Sequence, residues 1–187
     1  MKLILASGSP RRKDLLRAVG IPIFKIAPAN IPEMREETES PLAYCQRLAR
    51  EKSTTNYFEQ ALILAADTIV AKEDQVFEKP RNDEHALETL LALQNCWHEV
   101  ITAWALFDTS NQKLHQGHAI SKVRFRPLSQ TECLSYIATG EGNDKAGAYG
   151  IQGLGSALID TIEGSYSNIV GLPMEQIVPL LHKLQQE

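Results

Sequence analysis

At 187 residues, 43% of them hydrophobic and 22% charged, the chain is long enough to bury a substantial core and has an ordinary globular composition. Its net charge of −4 argues against a broad nucleic-acid or anionic-membrane surface, so clustered basic residues read as a local site for a small partner. Cys45, Cys96 and Cys133 suggest neither a disulfide framework nor a zinc site, and no apolar run matches a signal-peptide core or a membrane span, so one cytoplasmic domain over residues 1–187 is expected.

Leu3 to Ala6 reads as a short buried strand. Ser9 is a good N-cap and Pro10 suits the first helical position, so a helix is expected from Pro10, with Leu15, Leu16 and Val19 at helical spacing and Gly20 as its left-handed terminus. Its first turn holds Arg11, Arg12 and Lys13, although a helix start normally attracts acids. Backbone N–H groups, the hydroxyls of Ser7 and Ser9, Gly8 and two guanidinium forks together describe a phosphate cradle, favoured over a solvated basic turn.

Ile21 to Ala27 is expected as a second strand and Pro28 to Glu39 as an acidic loop. Its Glu33, Glu36, Glu37 and Glu39 form either a solvated face or a run from which one acid turns inward to a metal. Ser40-Pro41 repeats the helix-start signature, and Leu42, Cys45, Ala49 and Lys52 follow on one face. A lysine there either snorkels to water, the favoured reading, or points its ammonium into a cleft.

Ala61 to Ala71 reads as a central strand buried on both faces, interrupted by Asp67. A carboxylate at the end of such a strand is costly to bury without a partner; an active-site acid and a turn-closing aspartate are equally consistent with it. Val76 to Arg81 reads as the return strand of a hairpin, with Lys79 and Arg81 adding cations nearby. Asn82 caps a helix with Asp83 and Glu84 in its first turn and Leu87, Leu90 and Leu91 inside. His98 reads as structural, before a strand from Val100 to Phe107.

Lys122 to Arg126 alternates as a half-exposed antiparallel strand does, which makes the sheet mixed. Ser129 and Glu132 have capping-box spacing, with Leu134 and Ile137 behind them and Gly140 ending the helix; this second half reads as a smaller lobe. Asp144 to Gly155 has four glycines within nine residues, matches neither a P-loop nor a dinucleotide fingerprint, and by itself reads as a flexible loop. Gln152 within it both donates and accepts hydrogen bonds, which suits a nucleobase edge. A strand from Ala157 to Ile162 and a terminal helix after Leu172-Pro173, carrying Ile177, Leu180, Leu181 and Leu184, complete the chain.

Phosphate, metal and base would satisfy in turn the cationic helix start, the strand acid and the glycine-rich loop with its amide. A nucleoside triphosphate with Mg²⁺ supplies all three, and without a Walker or kinase signature hydrolysis is the economical outcome.

The chain resembles the Maf nucleotide pyrophosphatases, in the branch acting on dTTP and UTP. The resemblance runs almost the whole length and rests on Ser7-Gly8-Ser9-Pro10-Arg11-Arg12, Ala66-Asp67-Thr68-Ile69-Val70, Glu78-Lys79-Pro80-Arg81, the run from Asp144 to Gly153, and Gly164-Ser165-Tyr166 with Val170-Gly171-Leu172-Pro173. It implies an α/β fold, a mixed twisted sheet with flanking helices in an elongated two-lobed, ITPase-like form with a central cleft. It also implies hydrolysis to a nucleoside monophosphate and pyrophosphate as a house-cleaning activity, dependence on a divalent cation (Mg²⁺ or Mn²⁺), and a homodimer. By resemblance Asp67 is the catalytic acid/base and a metal ligand. Ser7, Arg12, Lys52 and Lys79 hold the triphosphate, Glu33 belongs to an acidic metal-binding loop, and Arg11, Thr68 and Gln152 choose the base. Thr68 and Gly150-Ile151-Gln152-Gly153 favour the dTTP/UTP branch; the sister branch, acting on methylated GTP, carries glutamine after the aspartate. Two departures stand out: Ile31-Pro32-Glu33 where the family tends to carry more than one acid, and Asn95-Cys96-Trp97-His98 in place of the usual Ser-Gly before the histidine. The family is also linked to inhibition of septum formation, so the rival expectation is a nucleotide-binding regulator of cell division with incidental hydrolysis.

Overall fold

The computed structural model describes residues 1–55 and 58–186, without the side chains of Gln185 and Gln186. Seven strands form one mixed sheet: β1 (Lys2–Leu5), β2 (Lys25–Ile26), β3 (Ala61–Lys72), β4 (Gln75–Phe77), β5 (Trp97–Asp108), β6 (Lys113–Phe125) and β7 (Ile159–Glu163). Their order is β2-β1-β3-β5-β6-β7, with β4 also on β3; β1 runs parallel to β2 and β3, whereas β4 on β3 and β7 on β6 are antiparallel. Flanking helices are α1 (Pro10–Ala18), α2 (Pro41–Thr54), α3 (Asp83–Leu93), α4 (Gln130–Ile137), α5 (Tyr166–Val170) and α6 (Met174–Gln186).

The helix signals act locally. Ser40, Asn82 and Ser129 accept from the backbone N–H of Ala43, His85 and Glu132, and Glu132 returns the bond to complete a capping box. Ser9 holds the cap position of α1 with extended backbone but makes no side-chain cap; its own N–H donates to Ser7 Oγ at 3.3 Å. Gly20 ends α1 in a left-handed conformation (φ 75°), with Gly20 N–H on Arg17 O and Ile21 N–H on Leu16 O, the paired bonds of a Schellman turn.

Several expected elements change in extent. The second strand shrinks to two residues, and β6 begins nine residues before Lys122. Asp67 lies within β3, which continues to Lys72, so the strand does not end at the acid and no turn is closed there. Val19, Leu91 and Leu134 face outward, because the inner faces of the latter two helices are Ala86, Thr89, Leu90 and Leu93 in α3 and Cys133, Tyr136 and Ile137 in α4. Helix α5 is absent from the sequence expectation; Gly164 (φ 106°) sets its start, where a Cβ would stand 2.9 Å from Ser121 Oγ.

The chain divides into two compact units. The first comprises residues 1–67, 102–119 and 171–187. Strand pleating puts Leu3 and Leu5 on one face with Leu62, Leu64, Leu106, Ile177 and Leu181, and Ile4 and Ala6 on the other with Ile63 and Ala65. Burial on both faces explains the near-continuous apolar runs of β1 and β3. The second unit comprises residues 68–101 and 120–170, around Val70, Phe77, Leu90, Leu93, Phe125, Tyr136 and Tyr149. His98 is buried there with Nε2 2.8 Å from Tyr149 Oη and edge contacts to Phe125 and Tyr149, a structural histidine.

Candidate active site

The first unit holds six of the candidate residues. Ser7, just beyond β1, is buried and its Oγ accepts from Arg12 Nη1 at 3.0 Å; Arg12 Nε donates to Gly171 O at 2.8 Å. This fixes the guanidinium at the start of α1, between the strand end and the segment leading to α6. Burial lowers the Arg12 pKa, and the charge of Asp67 opposes that shift. Arg11, one residue earlier, is half-buried.

Lys52 does not snorkel. It is 8% exposed, and its Nζ lies 2.6 Å from Asp67 Oδ1 and 2.6 Å from Glu33 Oε1. Helix periodicity explains its direction, since Cys45, Leu48, Ala49 and Lys52 share the buried face of α2. Glu33 is therefore the acid of the loop that turns toward the buried lysine. Glu39 is held elsewhere: Arg47 grips both its oxygens at 2.6 and 2.8 Å, which lowers its pKa to about 2.

Asp67 is 7% exposed, so its burial requires the cation that Lys52 provides. Cys45, which no motif marked as part of the site, donates its thiol to Asp67 O at 3.3 Å. Burial and the adjacent Asp67 charge push its pKa up, so it stays a neutral thiol. The available signal was its place one helical face from Lys52, seven residues earlier.

Two carboxylate oxygens converging on one cation, from Asp67 and Glu33, are donors that suit a hard divalent ion, which commonly takes one or two carboxylates and completes its shell with phosphate and water. Among the described residues no group of three or more His, Cys, Asp or Glu side chains that could hold a metal ion converges.

Thr68, Lys79 and Gln152 belong to the second unit. Thr68 follows Asp67 on β3 and is half-buried, while Lys79 is exposed in the connection from β4 to α3. Gln152 is exposed ahead of a 3-10 turn spanning Gly153–Leu158. The glycine-rich stretch is not an unstructured loop: it forms this turn and another at Ala146–Ala148, and Gly147 (φ 71°) leaves no room for a Cβ, which would lie 2.9 Å from Val70 Cγ2.

The sequence model described as Maf-like protein matches residues 2–184. Curated relatives named dTTP/UTP pyrophosphatase include those of Alcanivorax borkumensis, 42% identical over 97% of this chain and 94% of that protein, and Vibrio cholerae, 42% identical over 97% of both. That of Aquifex aeolicus is 37% identical over 98% of this chain and 96% of that protein. The fold is shared with a HAM1 protein from Coxiella burnetii (TM-score 0.52, 13% identity, covering 98% of this chain and 99% of that one). It is shared too with the Staphylococcus aureus Ham1 protein (TM-score 0.52, 10% identity, covering 100% and 98%). A family match that leaves out only the extreme termini, together with relatives of this identity over nearly their full lengths, establishes that the chain belongs to the family of Maf-like proteins.

Proposed function

We propose that the chain is a nucleoside triphosphate pyrophosphatase that hydrolyses dTTP, UTP and related pyrimidine nucleotides to the monophosphate and pyrophosphate. The supporting observation is the buried Asp67 carboxylate held by Lys52, within the same unit as the Ser7–Arg12 cradle at the start of α1. Its relatives' name, dTTP/UTP pyrophosphatase, supports the substrate class. In this reading residues 1–187 act as one catalytic domain, in the cytoplasm and as a homodimer, on a small nucleotide, with neither nucleic acid nor membrane as partner.

Ser7, Arg12, Lys52 and Lys79 bind the triphosphate, and the positive charge of Arg12, Lys52 and Lys79 offsets its negative charge where more develops in the transition state. Asp67 orients a water molecule toward the α-phosphorus and takes its proton; the bond from that phosphorus to the bridging oxygen breaks, and pyrophosphate leaves. Asp67 and Glu33 would hold a divalent cation, Mg²⁺ or Mn²⁺, which when bound polarises the phosphoryl group. Arg11, Thr68 and Gln152 meet the base, where the amide of Gln152 pairs with the donor and acceptor edge of a pyrimidine.

The test is pyrophosphate release from a panel of nucleoside triphosphates with Mg²⁺ or Mn²⁺, comparing wild type with Asp67→Asn. Turnover of dTTP and UTP, reduced about 100- to 10,000-fold in the variant while nucleotide binding persists, is the expected result. Tight binding without pyrophosphate from any nucleotide would replace this reading with that of a binding regulator.

A further inference from the structure

Gln152 cannot place itself. Its side chain is exposed and makes no hydrogen bond among the described residues, so its position is set by the backbone that carries it. That backbone is held at two points by one pair of side chains. Tyr136, on the buried face of α4, accepts from Gly150 N–H at 3.1 Å through its Oη. The same hydroxyl donates to Glu141 Oε1 at 3.0 Å, and Glu141 accepts from Leu154 N–H (2.8 Å, Oε2) and Gly155 N–H (2.8 Å, Oε1). Ile151, Gln152 and Gly153 are therefore the span between two anchor points.

The glycines around this span are what the anchors require. A Cβ on Gly153 would lie 2.5 Å from Glu141 Oε2, and one on Gly155 would lie 2.1 Å from Gly150 O and 3.0 Å from Tyr136 Oη. Glu141 is itself fixed. Its N–H donates to Thr139 Oγ1 at 3.2 Å, its carbonyl accepts from Lys145 Nζ, and Gly140 (φ 72°) turns the chain to deliver it. Burial raises the Glu141 pKa, but the Leu154 and Gly155 N–H groups, the Tyr136 hydroxyl and the Lys145 charge outweigh it and the net shift is downward, so the clamp is a carboxylate.

We infer that Glu141 and Tyr136 are positioning residues for base selection, clamping residues 150–155 so that Gln152 is presented in one place. This rests on the reading of Gln152 as a residue that meets the base. A clamp acting only through Gln152 must affect recognition of the base and leave recognition of the phosphates alone.

The experiment compares wild type, Glu141→Gln, Tyr136→Phe, Gln152→Ala and the Glu141→Gln/Gln152→Ala double variant in dTTP and GTP turnover. Inorganic tripolyphosphate, which has no base, is used as a competitive inhibitor. Amide hydrogen exchange at Leu154 and Gly155 reads the clamp directly. In Glu141→Gln, exchange at those amides accelerates, KM for dTTP rises about tenfold with kcat nearly unchanged, and the inhibition constant of tripolyphosphate stays put. Tyr136→Phe gives the same pattern in weaker form, and the double variant is no worse than Gln152→Ala, because both changes remove one shared contribution. A tripolyphosphate constant that rises in step with the dTTP KM overturns the proposal in favour of general slackening. So does a dTTP KM that stays unmoved while the amides exchange faster. If Gln152→Ala leaves the nucleotide preference unchanged, the reading of Gln152 fails and the proposal with it. If only the Glu141 and Tyr136 variants leave it unchanged, the proposal fails alone.

Discussion

Lys52 is one ammonium serving two carboxylates, and its removal differs in kind from removal of either acid. Lys52→Met leaves Asp67 and Glu33 without the cation they share, one of them 7% exposed, and is expected to cost about 3 kcal/mol in urea denaturation. Asp67→Asn leaves the ammonium paired with Glu33, so its loss of stability should be distinctly smaller; equal losses would contradict this arrangement. Periodicity revealed which face of α2 carries Lys52 but not its direction, because its partners lie 19 and 15 residues away along the chain on a loop and a different strand. His98 presents the opposite case, a titratable group kept neutral. Burial, with the Lys72 charge behind it, lowers its pKa to about 4. The unfolded chain takes up that proton near pH 6.5, so the stability this residue contributes is complete above about pH 6.5 and is lost as pH falls toward 4, by about 3 kcal/mol in all. Denaturant midpoints measured across that window should fall in wild type and flatten in His98→Gln. Its structural role was legible because a single histidine before an apolar strand has no second catalytic group beside it.

At the scale of elements, the caps were the most legible feature, since a cap is a bond between residues three apart. Ser40, Asn82 and Ser129 all make theirs, whereas Ser9 does not; its N–H donates to Ser7 Oγ, which also accepts from Arg12 Nη1. Strand extent was less legible: β3 runs through Asp67 because the ladder is backbone and continues to Lys72, and the first half of β6 mixes polar and apolar residues on a half-exposed strand. Two glycines separate conformational strain from steric contact. Gly20 has a positive φ, and a Cβ placed on it would find nothing within 4 Å, so Gly20→Ala is expected to cost about 1 kcal/mol. A Cβ on Gly142 would meet Ala148 O at 2.1 Å, a backbone atom that cannot rotate away. Gly142→Ala should therefore lower the thermal midpoint several times more than Gly20→Ala, and comparable shifts in the two variants would refute the distinction.

At the scale of the molecule, the mixed α/β class follows from alternating strand and helix signals, and the family from motifs spread along nearly the whole chain. The division into two units was only half visible. A second lobe was expected from the later part of the sequence, but the second unit is made of residues 68–101 and 120–170, and three of its four boundaries fall inside β3, β5 and β6, where no composition shift or linker marks them. Each unit nevertheless has its own apolar core, and among the described residues no helix is long and apolar enough to cross a membrane. Lys52 has one further consequence for the chain as a whole. Proteins whose acids depend on a bound ion for neutrality come apart when the ion is stripped. Here the counter-charge is part of the polypeptide, so a preparation exhaustively treated with a chelator should keep the melting curve of untreated protein; on the proposed reading, in which turnover needs a divalent cation, activity is lost meanwhile and returns within mixing time on adding Mg²⁺, with no refolding step in between.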